Sequence, residues 1–156
     1  MGLIENLKSD DVASMHLRSP VVVPCGSTVR ETIEAMRVGR LGCAIVVDES
    51  GKPVGMFTES QLRELLPCTP GLLDDVVDLH MARRFPSVTT RDVVEIVLDA
   101  MQTNNTRFVC VQDSEGRLAG LTGQKGLMEY VAEHFPREVM VQRVGGAAYP
   151  KKREGA

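Results

Sequence analysis

Cys43-Ala44-Ile45-Val46-Val47-Asp48-Glu49-Ser50-Gly51-Lys52-Pro53-Val54-Gly55-Met56-Phe57-Thr58 is the stretch on which the reading of this chain turns. Its first five residues form an unbroken apolar run, which suits a short strand buried on both faces. Residues 48–52 are turn chemistry, an aspartate ahead of a serine and a glycine. A second apolar run, 53–57, follows at once, so the stretch predicts a β-hairpin. The pattern returns 65 positions later as Phe108-Val109-Cys110-Val111, Asp113-Ser114-Glu115-Gly116-Arg117 and Leu118-Ala119-Gly120-Leu121-Thr122.

Outward from the hairpin the match continues without gaps from Val23/Val88 to Leu62/Leu127. Identities fall at Val29/Val94, Ala35/Ala100, Met36/Met101, Val46/Val111, Asp48/Asp113, Gly51/Gly116 and Gly55/Gly120. Val29, Ile33, Met36 and Val94, Leu98, Met101 are spaced as one buried helical stripe, with Ser27-Thr28 and Asp92 where an N-cap belongs. Each copy therefore predicts an extended lead-in (residues 20–24 or 86–88), a helix, a hairpin and a closing helix, at 59–66 in the first copy and 124–135 in the second. A linking helix is expected over 72–81, and an amphipathic helix over 1–14 through Leu3, Ile4, Leu7 and Val12. Two copies of this size point to a duplicated small domain rather than a solenoid. A core of roughly 55 residues is marginal by itself, so the halves are expected to pack face to face.

Composition narrows the function. The chain has 156 residues, 43% of them hydrophobic, 25% charged and 4% aromatic, with a net charge of −3. That charge gives no support to nucleic-acid binding, and so few rings make a poor stacking platform for single strands. No uncharged stretch is long enough to span a bilayer, and the first residues lack the pattern of a signal peptide. The expectation is a soluble cytoplasmic protein with no membrane contact. Cys25, Cys43, Cys68 and Cys110 form no CxxC pair, and His16, His80 and His134 are isolated, so reduced thiols and no metal site are expected. Cys43 and Cys110 fall within strands and read as small buried hydrophobes; no His–Asp arrangement is visible to activate Cys25 or Cys68. Asp10-Asp11 and Asp74-Asp75 are expected near helix starts. No catalytic residue stands out, and the chain reads as a non-enzyme.

Taken together, Met15, Ser19-Pro20-Val21-Val22-Val23, Thr28-Val29, Ala35-Met36, residues 48–58 and their second-copy counterparts resemble a tandem pair of CBS domains, the cystathionine β-synthase-type regulatory modules. The resemblance covers about residues 10–135. It implies an α/β fold of two pseudo-symmetric halves, residues 10–66 and 72–135, packed into one disc-like module, with a C-terminal tail over 136–156. It also implies a homodimer, clefts between the halves, and an adenosine nucleotide or S-adenosyl compound as ligand, with no cofactor required. No stretch reads as a catalytic domain, so a separate regulated partner protein is expected.

The resemblance places a Thr or Ser at the start of the closing helix, followed three residues later by an Asp that holds ribose hydroxyls. Here those positions are Thr58 and Gln61 in the first copy, Gly123 and Gly126 in the second. An amide binds a diol less strongly than a carboxylate, so both ribose signatures are degraded. Ser19, Pro20, Val21, Gly42 and Cys43 are expected to line one cleft beside Thr58. Phe85, Pro86, Arg107 and Phe108 are expected to line the other, with Arg84, Arg107 and Lys125 as cations for phosphate. Two readings stand: a ligand-sensing regulatory module, and a dimerisation or interaction module that has lost nucleotide binding.

Overall fold

The computed structural model describes residues 2–134. Five α-helices, α1 (Leu3–Ser9), α2 (Val29–Gly39), α3 (Glu59–Leu65), α4 (Val94–Asn104) and α5 (Gln124–His134), alternate with six strands. These are β1 (Val22–Pro24), β2 (Cys43–Val47), β3 (Pro53–Thr58), β4 (Ser87–Thr89), β5 (Phe108–Gln112) and β6 (Leu118–Gly123). They form two three-stranded sheets, β1-β2-β3 and β4-β5-β6. In each, the lead-in strand runs parallel to the first hairpin strand and the hairpin is antiparallel. Equivalent residues hold the same register: Ile45 opposes Met56 and Cys110 opposes Leu121. The tail over 136–156 lies outside the described residues.

The turns form as their residue types require. The Asp48 carboxylate accepts the N–H groups of Ser50 and Lys52 at 2.9 and 3.0 Å, and Asp113 accepts those of Glu115 and Arg117 at 2.8 and 3.0 Å. An aspartate bonding its own backbone in this way bends the chain without help from elsewhere. Thr28 opens α2 with a capping box: its hydroxyl accepts from the Glu31 N–H, and the Glu31 carboxylate accepts from the Thr28 N–H. The second copy departs from expectation here. Val93, not Asp92, is the residue ahead of α4, and the Asp92 carboxylate instead accepts the Thr89 N–H at 2.7 Å.

The two expected flanking helices are both broken. Residues 72–81 hold two 3₁₀ turns, Leu72–Asp74 and Val77–Leu79, with Asp75 and Val76 extended between them. The cause is backbone pairing: the Val29 N–H donates to the Asp75 carbonyl at 2.9 Å and the Val77 N–H to the Ser27 carbonyl at 2.8 Å. The N-terminal segment behaves alike. It is α1 followed by a 3₁₀ turn, Val12–Ser14, because Val12 and Val94 pair with the carbonyls of Asp92 and Asp10. Ile4, expected on an apolar face, is 67% exposed. The acidic pairs consequently do not open α-helices. Asp10 follows the end of α1 and accepts from the Tyr130 hydroxyl, Asp11 precedes the 3₁₀ turn, Asp74 pairs with Arg30, and Asp75 meets the His80 ring.

Packing crosses the repeat. Val12 and Met15 from the N-terminal segment join Val88, Val94, Val97, Val109, Val111 and Tyr130 in the core of the second half. Leu72, Val77 and Met81 from the linking segment join Val29, Met36, Ala44, Val46 and Phe57 in the first. Each incoming segment then touches the other half's hairpin. Arg18 and Leu121 exchange backbone hydrogen bonds at 2.8 and 3.0 Å, as do Met56 and Ala82 at 3.0 and 2.8 Å. The recurring glycines make room for it: a Cβ on Gly55 would stand 2.2 Å from the Met81 sulfur, and one on Gly120 would stand 3.0 Å from Leu17. A third core, Cys43, Ile45, Met56, Cys110 and Leu121, joins the two sheets. The module is thus α/β, of two pseudo-symmetric halves packed together.

Because Met15 sits in the second half's core, Met15→Ala is expected to cost about 2–4 kcal/mol of stability. Ile4→Ala on the same segment should cost less than about 0.5 kcal/mol. Urea unfolding of the two variants measures the difference, and equal effects would contradict the crossed packing.

Candidate functional site

Helices α3 and α5 both start where a hairpin's second strand ends, at the junction between the halves. Two cavities open there. The first, about 270 Å³, is lined by Thr58, Glu59, Ser60 and Gln61 at the start of α3 and by Phe85, Pro86, Arg107 and Phe108 from the second half. The second, about 310 Å³, is lined by Gly123, Gln124, Lys125 and Gly126 at the start of α5 and by Arg18, Arg40, Leu41 and Gly42 from the first. They meet at Gly42, Glu59, Arg107 and Phe108, which line both.

The cavities therefore combine the copies differently from expectation. Thr58 faces the lead-in of the second copy, not Ser19, Pro20 and Val21. The crossing strands dictate this, since Ala82 is paired to Met56 and carries Phe85 and Pro86 past Thr58. Ser19 lies instead at an opening shared with Arg18, Lys125 and Glu129. Pro20, Val21, Cys43 and Arg84 line neither of the two cavities. Val21 packs against the first core, Cys43 is fully buried between the sheets, and Arg84 is exposed.

At the start of α3, Thr58 and Gln61 satisfy each other. The Thr58 hydroxyl accepts the Gln61 N–H at 3.3 Å, and the Gln61 side-chain carbonyl accepts the Thr58 N–H at 2.8 Å. This capping box leaves the amide carbonyl turned back to the helix start rather than outward to a ribose. At the start of α5 the equivalent Gly123 has φ +154°, and a Cβ there would stand 1.8 Å from the Arg107 carbonyl oxygen. Glycine is thus a steric requirement at 123, and α5 begins without the hydroxyl cap that α3 has.

The cations were only partly visible in the sequence. Of the three candidates, Arg107 and Lys125 line the second cavity and Arg84 does not, and Arg18 and Arg40 join them. Arg40 adopts the left-handed conformation at φ 50° that ends α2 and turns the chain into Leu41-Gly42. No local signal marks either arginine, since each is brought in by the crossing of the halves. Arg107 also lies 5.9 Å from the centre of the Phe108 ring.

The thiols are not set up as nucleophiles. Cys43 and Cys110 are fully buried, and desolvation pushes their thiols up to about 12 and about 11, Cys43 also by its proximity to Cys110. Such a thiol stays protonated at neutral pH. Cys25 and Cys68 are free and exposed, and the Cys25 thiol is pushed up by desolvation and by Asp78. Among the described residues no group of three or more His, Cys, Asp or Glu side chains is placed to hold a metal ion, and no helix is long and apolar enough to cross a membrane.

This geometry agrees with the comparisons. The CBS domain family matches the chain twice, at residues 12–67 and 75–133. A CBS domain protein from Pyrobaculum aerophilum complexed with AMP superposes with a TM-score of 0.70 at 21% identity, covering 87% of this chain and 99% of that one. The CBS domain pair of protein MJ0100, in complex with 5′-methylthioadenosine and S-adenosyl-L-methionine, superposes with a TM-score of 0.70 at 18% identity, covering 80% of this chain and 98% of that one. A 17.7 kDa protein of Acidianus ambivalens is 28% identical over 107 residues, which are 68% of this chain and 63% of that protein. The chain spans less than two thirds of the length of the curated relatives it matches. The chain belongs to the CBS domain family.

The two helix starts make a direct contrast. Gly123→Ala is expected to destabilise the protein by about 2–3 kcal/mol, because the backbone at 107 must give way. Thr58→Ala removes only a cap and should cost about 1 kcal/mol. Chemical denaturation of both variants tests the order, and a neutral Gly123→Ala would refute the steric requirement.

Proposed function

We propose that this CBS-domain pair is a non-catalytic regulatory module that binds an adenosine-containing ligand between its halves and passes the change of state to a separate partner protein. The observation that carries the reading is the pair of cavities at the starts of α3 and α5, built jointly by both halves. A ligand held there touches both halves at once. It therefore biases any equilibrium in which the halves shift relative to each other, provided its affinity for the two states differs. The relatives seen with AMP and with S-adenosyl-L-methionine and 5′-methylthioadenosine support an adenosine compound as the ligand class. In this reading the protein needs no cofactor, works in the cytoplasm, and binds neither nucleic acid nor membrane.

The self-satisfied Thr58–Gln61 pair favours a second reading, a dimerisation or interaction module that no longer binds nucleotide. One experiment separates the two. In thermal unfolding of the nucleotide-stripped protein, a ligand at a hundredfold its Kd adds about 2.7 kcal/mol. For a chain of this size that raises Tm by roughly 5–10 °C. The sensor reading expects such a shift with at least one of AMP, ADP, ATP and S-adenosylmethionine. No shift with any of them at millimolar concentration would leave the interaction module standing.

Both readings use a homodimer, supported by apolar side chains such as Leu66, Leu79 and Met128 that stand 53%, 71% and 66% exposed. Light scattering should give twice the chain mass of 17.1 kDa. A monomer at micromolar concentration would overturn the dimer.

A further inference from the structure

Helix α1 has few holds on the rest of the molecule. It is seven residues long, receives no side-chain cap from Gly2 and has no fully buried residue. Leu3 and Leu7 rest on the second core, while Ile4 stands 67% exposed. The Asn6 side-chain oxygen is buried without a hydrogen-bond partner, and Lys8 meets Glu95 of α4 at a long 3.9 Å. Beside Glu95, Ile96 is 41% exposed in turn. A helix this short is marginal in water and depends on what packs over it. Along α1 and the start of α4 an apolar face is open.

The residues that follow α5 leave from the same corner. The Tyr130 hydroxyl donates to Asp10, directly after α1, and the Asp10 carbonyl accepts the Val94 N–H at 2.9 Å at the start of α4. His134, one turn past Tyr130, therefore ends α5 where α1 ends and α4 begins. Charge divides along the same line. Residues 135–156 carry five Lys and Arg against two Glu, so the net −3 of the chain is +3 there and −6 on the rest. Residues 3–11 and 91–99 hold six carboxylates against two cations, Lys8 and Arg91. Just past α5, Val139-Met140-Val141 stand between Arg137 and Arg143, with Val144 after them. An apolar segment bracketed by arginines complements an apolar face rimmed by carboxylates.

We propose that residues 139–144 dock on the α1–α4 face of their own chain, setting the valines against Ile4 and Ile96 and the arginines against the surrounding carboxylates. The reach is short. Five residues separate His134 from Val139 and span up to about 17 Å when extended, whereas α1 is about 10 Å long. The same chain thus supplies the segment at high local concentration, ahead of a second copy. Docked there, it clamps the arm that carries Met15 into the second core and Arg18 to the second cavity.

Hydrogen exchange of the full chain reads this cover directly. The variant Val139→Glu/Val141→Glu is expected to speed exchange at residues 6–10 about tenfold, the size of losing one or two buried methylenes, and to leave α2 unchanged. Should it lose its fold by circular dichroism, Arg143→Glu answers the same question with a rise of about threefold, as for one surface ion pair. Cover of this strength is spread over several side chains, so Ile4→Ala remains a small change in urea unfolding. Unchanged exchange at residues 6–10 overturns the proposal. A photoreactive benzophenone side chain in place of Val141 locates the contact. Crosslinks to residues 4–8 or 95–99 at the single-chain mass of 17.1 kDa uphold it. Crosslinks at twice that mass, which assign the segment to a second copy, or crosslinks to other elements overturn it.

Discussion

The backbone bridges Arg18–Leu121 and Met56–Ala82 are the constraint on which the rest of this molecule depends. Each ties the segment entering one half to the hairpin of the other. A buried strand edge must find partners for its N–H and C=O groups, and here the second hairpin strand finds them in the opposite copy's lead-in. Once those bridges form, Met15 and Val12 can only be buried in the second core, and Val77 and Met81 only in the first. Neither half is then a separate body. Each supplies part of the other's core, which resolves how units of so few residues become stable.

The composite site follows from the same crossing. Phe85 and Pro86 arrive beside Thr58, and Arg18 beside Lys125, because the bridges carry them there. Pseudo-symmetry of the backbone then permits asymmetry of charge. Equivalent positions hold Arg40 and Asn105 at the left-handed ends of α2 and α4, and Gly42 and Arg107 just beyond. One cavity thereby gathers four cations while its twin stays balanced. The two cavities thus differ in charge although the backbone around them repeats.

Much of the fold was legible along the chain. Unalternating apolar runs at 43–47 and 108–111, flanked by aspartate–glycine turns, identified both hairpins, because strand burial and Asx-type turns are local in cause. The N-cap at Thr28 was legible for the same reason. The linking helix and the first long helix were not, since their residues have helical spacing that pairing with Ser27, Asp92 and their neighbours overrides. The site was half legible. Thr58, Gln61, Arg107, Gly123 and Lys125, singled out from their positions in the repeat, line the two cavities. Arg18 and Arg40 carry no local signal, Ser19 opens away from Thr58, and Arg84 lines neither cavity.

By itself the sequence determined the duplication, the hairpins and the helix stripes, all of which are properties of residue type and spacing. Only the tertiary structure decided which half each connecting segment joins and which copy faces which across the clefts. It alone revealed that Gln61 is spent on a helix cap, and that glycine at 123 is demanded by the carbonyl of Arg107. Those outcomes depend on contacts between residues far apart in the chain. Short-range patterns cannot encode such contacts, because a lead-in segment can in principle satisfy the edge of either sheet.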